Sequence, residues 1–250
     1  MKNTFFMAIA IATTLLACSN PSNDNTAKTD TVKTAPEAAP PPLRERVLTA
    51  EEQKALTPDM VIASLKEGNQ RFMTNNITSR DHSAMVRNAA PGQFPKAVIL
   101  SCLDSRIPVE DVFDKGIGDL FVARVAGNFS NRDILGSMEF GCKVSGAKLI
   151  LVLGHESCGA VKGAIDNVKL GNITGMLANI QPAVAKSADF SGEKTSKNPA
   201  YVEQVAKNNV LHTISEIRTN SPILKEMEDK GEIKIVGAYY NIQTGAVSFL

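Results

Sequence analysis

Leu149-Ile150-Leu151-Val152-Leu153-Gly154-His155-Glu156-Ser157-Cys158-Gly159 is the stretch that decides the fold. Its first five residues are apolar without alternation, as in a strand covered on both faces of a parallel sheet. Directly after that strand come His155 and Cys158, three residues apart and followed by Gly159, so a strand-to-helix turn aims both side chains the same way. A second stretch has the same grammar. Ala97-Val98-Ile99-Leu100-Ser101 runs into Cys102-Leu103-Asp104-Ser105-Arg106. Open α/β sheets hold their ligands at the carboxyl ends of parallel strands. If these two strands are neighbours, Cys102, His155 and Cys158 converge on one ion. Cys, His and Cys are zinc-type ligands, and three of them are one fewer than a closed structural site uses.

Around these two strands the chain alternates. Leu120-Phe121-Val122-Ala123 and Ile233-Lys234-Ile235-Val236-Gly237-Ala238 are further apolar runs, and 130–144, 157–169, 198–219 and 221–230 have helical periodicity. The pattern predicts an α/β fold, with a mostly parallel central sheet of four to five strands covered by helices. Residues 58–75 read as an N-terminal helical arm with Thr57 as N-cap and Pro58 at its first position. Tyr239-Tyr240-Asn241-Ile242 and Ala246-Val247-Ser248-Phe249-Leu250, around Gln243-Thr244-Gly245, read as a C-terminal hairpin, and 187–200 as an exposed loop.

Two thiolates and a neutral imidazole give a formally neutral zinc centre, which needs a nearby group to help a bound water ionise. Asp104, two residues from Cys102, meets that need: a carboxylate held in a forked pair by Arg106 stays ionised and oriented. The alternative is a closed state in which Asp104 itself is the fourth ligand. Cys142 lies in the helical pattern Ile134-Leu135-x-x-Met138-x-x-x-Cys142 and reads as a small buried hydrophobe. Neither Gly154-His155-Glu156-Ser157-Cys158-Gly159 nor any other segment makes a phosphate-binding glycine fingerprint.

The 250-residue chain carries 27 basic and 26 acidic side chains. Such a balance gives no electrostatic reason for nucleic acid as a partner. Lys2 is followed by an apolar stretch from Phe5 to Leu16, too short to span a bilayer, and then by Leu15-Leu16-Ala17-Cys18. Residues 1–17 resemble a bacterial lipoprotein signal peptide, which implies that Cys18 becomes a lipidated N-terminus. Residues 19–42, ending in Pro40-Pro41-Pro42, have almost no large apolar side chain and read as a disordered tether. Its mean reach is about 25–30 Å. Residues 43–250 are of ordinary single-domain size. The expected setting is the bacterial cell envelope, with the chain lipid-anchored and facing the periplasm. Thiols tend to oxidise there, and the three cysteines beyond Cys18 are an odd number that does not suggest a disulfide framework.

The paired motifs, with Gly118-Asp119-Leu120-Phe121-Val122-x-Arg124 and Gly127-Asn128 between them, resemble those of β-class carbonic anhydrases from about Ala50 to the carboxyl terminus. The resemblance implies one zinc per chain on Cys102, His155 and Cys158, an Asp104–Arg106 dyad, and reversible hydration of carbon dioxide to bicarbonate and a proton. It also implies that Gln93 donates a hydrogen bond to the forming bicarbonate, that Gly92, Gly127 and Gly159 shape the substrate pocket, and that the chain forms a dimer or tetramer. Arg124 matches an arginine of a regulatory bicarbonate pocket in some relatives. That pocket also uses a Trp where this chain has Ile99, which leaves Arg124 to packing or an ion pair. Rival readings are a carbon disulfide or carbonyl sulfide hydrolase and a non-catalytic zinc-binding envelope lipoprotein. His82 reads as an exposed loop residue and His212 as a helix-face residue.

The anchor has a direct test. Expressed in a bacterium fed radiolabelled fatty acid, the chain should take up label, and Cys18→Ala should take up none; equal labelling of the two would refute the anchor.

Overall fold

The computed structural model describes residue 44 and residues 46–250. The signal-type leader, Cys18 and the proline-rich stretch lie outside the described residues. The elements in chain order are α1 (Ala50–Ala55), α2 (Pro58–Met73), α3 (His82–Ala89), β1 (Ala97–Ser101), α4 (Val109–Val112), β2 (Leu120–Arg124), α5 (Arg132–Glu139), β3 (Leu149–His155), α6 (Gly159–Ile165), α7 (Gly171–Ala178), α8 (Gln181–Lys186), α9 (Pro199–Asn220), α10 (Pro222–Asp229), β4 (Lys234–Tyr240) and β5 (Val247–Phe249). The sheet order is β2-β1-β3-β4-β5, with β5 antiparallel to β4 and the other neighbours parallel. Among the described residues, no helix is long and apolar enough to cross a membrane.

β1 and β3 are buried along their whole length, as the unalternated runs predict. Successive side chains go to opposite faces. Ala97, Ile99, Leu149, Leu151 and Leu153 enter one core, with Val61 and Leu65 of α2 and Val202, Val205 and Ala206 of α9. Val98, Leu100, Ile150 and Val152 enter the other, with Met138 of α5, Val210, Ile214 and Ile217 of α9, and Leu224 of α10. α9 therefore serves both cores. It lies close on the sheet because Gly154 and Gly237 carry no side chain: a Cβ on either would stand 2.6 Å from Val210.

α2 starts as its cap predicts, with Thr57 Oγ1 accepting from the Met60 N–H and Pro58 in the first turn. Buried Asn69 then ties this helix to two distant segments. It donates to the carbonyls of Val112 and Gly245 at 3.1 and 2.8 Å and accepts from the Val247 N–H at 2.9 Å.

Several boundaries differ from expectation for local reasons. The helix expected over 130–144 is α-helical only to Glu139 and finishes as a π-helical turn, Phe140–Val144, which buries Gly141 and Cys142 and leaves Phe140 exposed. Burial pushes the Cys142 thiol up to about 12. The helix expected over 157–169 spans only Gly159–Ile165. The hairpin is not a separate unit: β4 continues through Tyr239 and Tyr240, and β5 folds back on it with Tyr240 opposite Val247.

Gly68 of α2 faces backbone, since a Cβ there would stand 1.8 Å from the Phe113 carbonyl oxygen. Backbone cannot yield as a side-chain end does. Gly68→Ala should cost at least about 1–3 kcal/mol through overpacking. Gly136→Ala, in α5 with nothing within 4 Å of its added Cβ, should be neutral or stabilising by up to about 1 kcal/mol. Urea unfolding of the two variants checks the pair.

Candidate metal centre

Register brings the ligands together. β1 and β3 pair in parallel with Ser101 opposite Leu153, so Cys102 leaves one strand beside the point where Gly154 and His155 end the other. Cys158 follows three residues later as the N-cap of α6. The turn between them holds Ser157 at φ 53°, a left-handed conformation that an L side chain adopts at a cost. Glu156 fixes that turn. Its N–H donates to the Tyr240 carbonyl at 2.9 Å, and its carboxylate accepts from the Ile242 N–H at 3.2 Å and from Gln243 Nε2 at 2.7 Å.

The ligating atoms of Cys102, His155 and Cys158 lie within 4.8 Å of one another, and all three residues are buried. Two tests on this arrangement favour zinc. Two Zn–S bonds of 2.3 Å at a tetrahedral angle set sulfurs about 3.8 Å apart, and the Cys102 and Cys158 sulfurs are 3.9 Å apart. His155 Nδ1 is 2.9 Å from the Glu156 carbonyl oxygen, which can only accept, so the proton is on Nδ1. His155 Nε2 is then a buried acceptor with no hydrogen-bond partner. An orphaned imidazole lone pair beside two thiols is what a metal-binding histidine presents.

The two thiols are unequal. The hydrogen bond with Cys158 pulls Cys102 below the ordinary thiol range against the opposing effect of burial, aided by the Gly127 and Asp104 N–H groups. Cys158, the other member of that hydrogen bond and also buried, is pushed up. Either sulfur can donate across their 3.9 Å contact, and a divalent cation bound by both as thiolates would displace that proton.

Asp104 stands outside this triangle. Arg106 Nε donates to Asp104 Oδ1 at 2.9 Å, Nη2 to Oδ2 at 2.6 Å, and the Arg106 N–H to Oδ1 at 3.0 Å. Those bonds hold the Asp104 carboxyl well below the usual carboxylate range. The geometry is that of the forked pair and not of a fourth ligand.

The remaining predicted residues divide. Gly127 is buried, with φ 87°, and its N–H is 3.3 Å from Cys102 Sγ; a Cβ there would meet Ile180 at 2.4 Å. It packs between the Cys102 sulfur and Ile180. Gly159 is exposed, and a Cβ on it would meet nothing within 4 Å, so it borders free space beside Cys158. Half-buried Gly92 and exposed Gln93 precede β1, whereas Cys102 follows it. Strand β1 therefore lies between Gln93 and the ligands along the chain. His212 is half-buried in α9 beside Glu216 and lines a separate cavity of about 260 Å³; His82 starts α3.

Arg124 has a part beyond the packing or ion pair expected of it. It ends β2, opposite Ser101 in register. Its Nε donates to the Cys102 carbonyl at 2.9 Å and its Nη2 to the Asp104 carbonyl at 2.5 Å, which fixes the backbone on both sides of Leu103. The signal for this was the register of a neighbouring strand, which no local motif carries.

A family model described as Carbonic anhydrase matches residues 97–247. The chain belongs to the β-carbonic anhydrases. It is 36% identical over 187 residues to carbonic anhydrase 2 of Mycobacterium tuberculosis, covering 73% of this chain and 87% of that one. With the carbonic anhydrase of Mycolicibacterium smegmatis it shares 33% identity over 186 residues, 74% of this chain and 89% of the other. Among solved structures, the two tetrameric β-carbonic anhydrases of Sordaria macrospora share the fold, at TM-score 0.60 and 20% identity, covering 77% of this chain and 95% of that chain.

In this carbonic anhydrase Arg124→Met keeps the length of the side chain and removes its donors. It should lower stability by about 1–2 kcal/mol and weaken zinc binding, while Lys, with a single ammonium, recovers only part of either. Chemical unfolding and chelator competition measure the two effects.

Proposed function

We propose that this chain catalyses the reversible hydration of carbon dioxide at a zinc ion held by Cys102, His155 and Cys158. One observation carries the proposal: three buried ligand atoms converge, while Asp104, two residues from Cys102, is tied off by a guanidinium. Bound zinc would act as a Lewis acid and make water a nucleophile at neutral pH.

The chain's own groups do the rest. Arg106 keeps Asp104 ionised and fixes its plane, so that a carboxylate oxygen accepts a hydrogen bond from the attacking water and aims the water's lone pair at carbon. The same clamp makes Asp104 too weak a base to keep the proton, which passes to buffer. Asp104 therefore orients. Leu103, exposed between the two, and the free space at Gly159 give a small apolar molecule a way in. His155 is fixed by its Nδ1–H bond to the Glu156 carbonyl and presents Nε2 as the donor atom.

Self-association into a dimer or tetramer belongs to the same reading, as does placement in the cell envelope by a lipid on Cys18. The tetrameric β-carbonic anhydrases described for Sordaria macrospora, whose fold this chain shares, support the first. The leader sequence supports the second.

Stopped-flow hydration of carbon dioxide with a pH indicator, across pH 7 to 9, tests the activity on zinc-loaded protein. Cys158→Ser should lose both zinc and rate. Asp104→Asn and Arg106→Ala should keep zinc and lower kcat/KM by about 10²-fold or more, the cost of a misoriented reactant. Protein with one zinc per chain and no acceleration over buffer would refute the enzymatic reading.

A further inference from the structure

α9 buries one continuous stripe: Val202, Val205, Ala206, Asn209, Val210, Thr213, Ile214 and Ile217 are all in the interior. Two of those positions are polar. Asn209 is 0% exposed and Thr213 1%, one helical turn apart. Burying an amide costs free energy unless its hydrogen bonds are made, and Asn209 leaves its Oδ1 without a partner. An aliphatic residue would suit the stripe better. Something outside the helix must account for the amide.

Its Nδ2 donates to the Gly127 carbonyl at 2.7 Å, and Thr213 Oγ1 donates to the Asn128 carbonyl at 3.3 Å. Gly127 and Asn128 are consecutive residues of positive φ, 87° and 41°. For Asn128 that conformation is costly, and such strain persists only where surrounding contacts over-determine it. The strained turn has one output toward the metal centre: the Gly127 N–H, 3.3 Å from Cys102 Sγ. An N–H aimed at a ligand sulfur neutralises part of its charge and fixes its direction.

We infer that Asn209 is a positioning residue for the zinc centre, holding Gly127 so that its N–H stays on the Cys102 sulfur. The inference rests on the reading of Cys102, His155 and Cys158 as the zinc ligands. Asn209 touches neither metal nor substrate; it acts through one backbone residue, from a helix position 82 residues downstream of it.

Asn209→Leu keeps the volume and removes the donor. Its zinc affinity, from competition with a chromophoric chelator, should fall about 10–100-fold, the usual cost of losing a group that supports a ligand. In cobalt-substituted protein the sulfur-to-metal charge-transfer band should move, because one thiolate has lost its N–H donor. Asn208→Ala is the control, since Asn208 lies beside Asn209 on α9 but donates to Ser187 Oγ at 2.8 Å; it should leave affinity and band unchanged. Asn209→Ser replaces the Leu variant in both measurements if the latter does not fold. A folded Asn209 variant with parental affinity and an unmoved band overturns the inference, as does an Asn208→Ala that shifts both equally. Parental protein that binds no zinc overturns instead the metal reading beneath it.

Discussion

Cys102 and His155 meet because β1 and β3 run parallel in register, both interior to the sheet. Every other feature of the centre presupposes that pairing. A one-residue slip would exchange the faces of all β1 side chains, sending Ile99 and Leu100 to the wrong cores and turning Cys102 from His155. Burial on both faces forbids the slip, so the apolar runs that make the strands also fix the ligand geometry. The core holds the site at its edge.

Charge is divided across that edge. Inside, the Cys102 and Cys158 sulfurs and the His155 imidazole share a buried space, where burial opposes charge on either sulfur. Outside, Asp104 is held by a partner in water's reach. The forked pair is worth little as a surface salt bridge. Its consequence is geometric, since a carboxylate bonded through both oxygens to Arg106 is not free to close on the metal.

The strands and the ligand motifs were legible because each is local. A run such as Leu149 to Leu153 announces burial by composition, and Cys-x-Asp-x-Arg and His-x-x-Cys by spacing. Helices α7 and α8 were not legible: Gly171, Gly175 and Pro182 weaken their pattern, and neither has a side-chain cap. Gln93 was assigned by its position before β1, a loop whose side chains no local pattern directs. Arg124 was read only as a packing or ion-pair residue and Asn209 was not singled out, because both act on carbonyls. Backbone acceptors occur at every residue and leave no trace in the sequence of their partner.

What those two residues share is that each reaches from its own element to the backbone of another. Arg124 ends an edge strand and reaches over to the backbone around Leu103; Asn209 interrupts an aliphatic stripe to reach Gly127. The Cys102 segment is thus gripped from β2 at its carbonyls and from α9, through the 127–128 turn, at its sulfur. Glu156 does the equivalent for the His155–Cys158 turn from the end of the sheet. Turns with positive φ at Gly127, Asn128 and Ser157 would relax if left alone. Each is held by an element remote in sequence, so ligand geometry and tertiary packing are set by the same contacts, and a metal bound there would stabilise the fold by its preference for the folded arrangement.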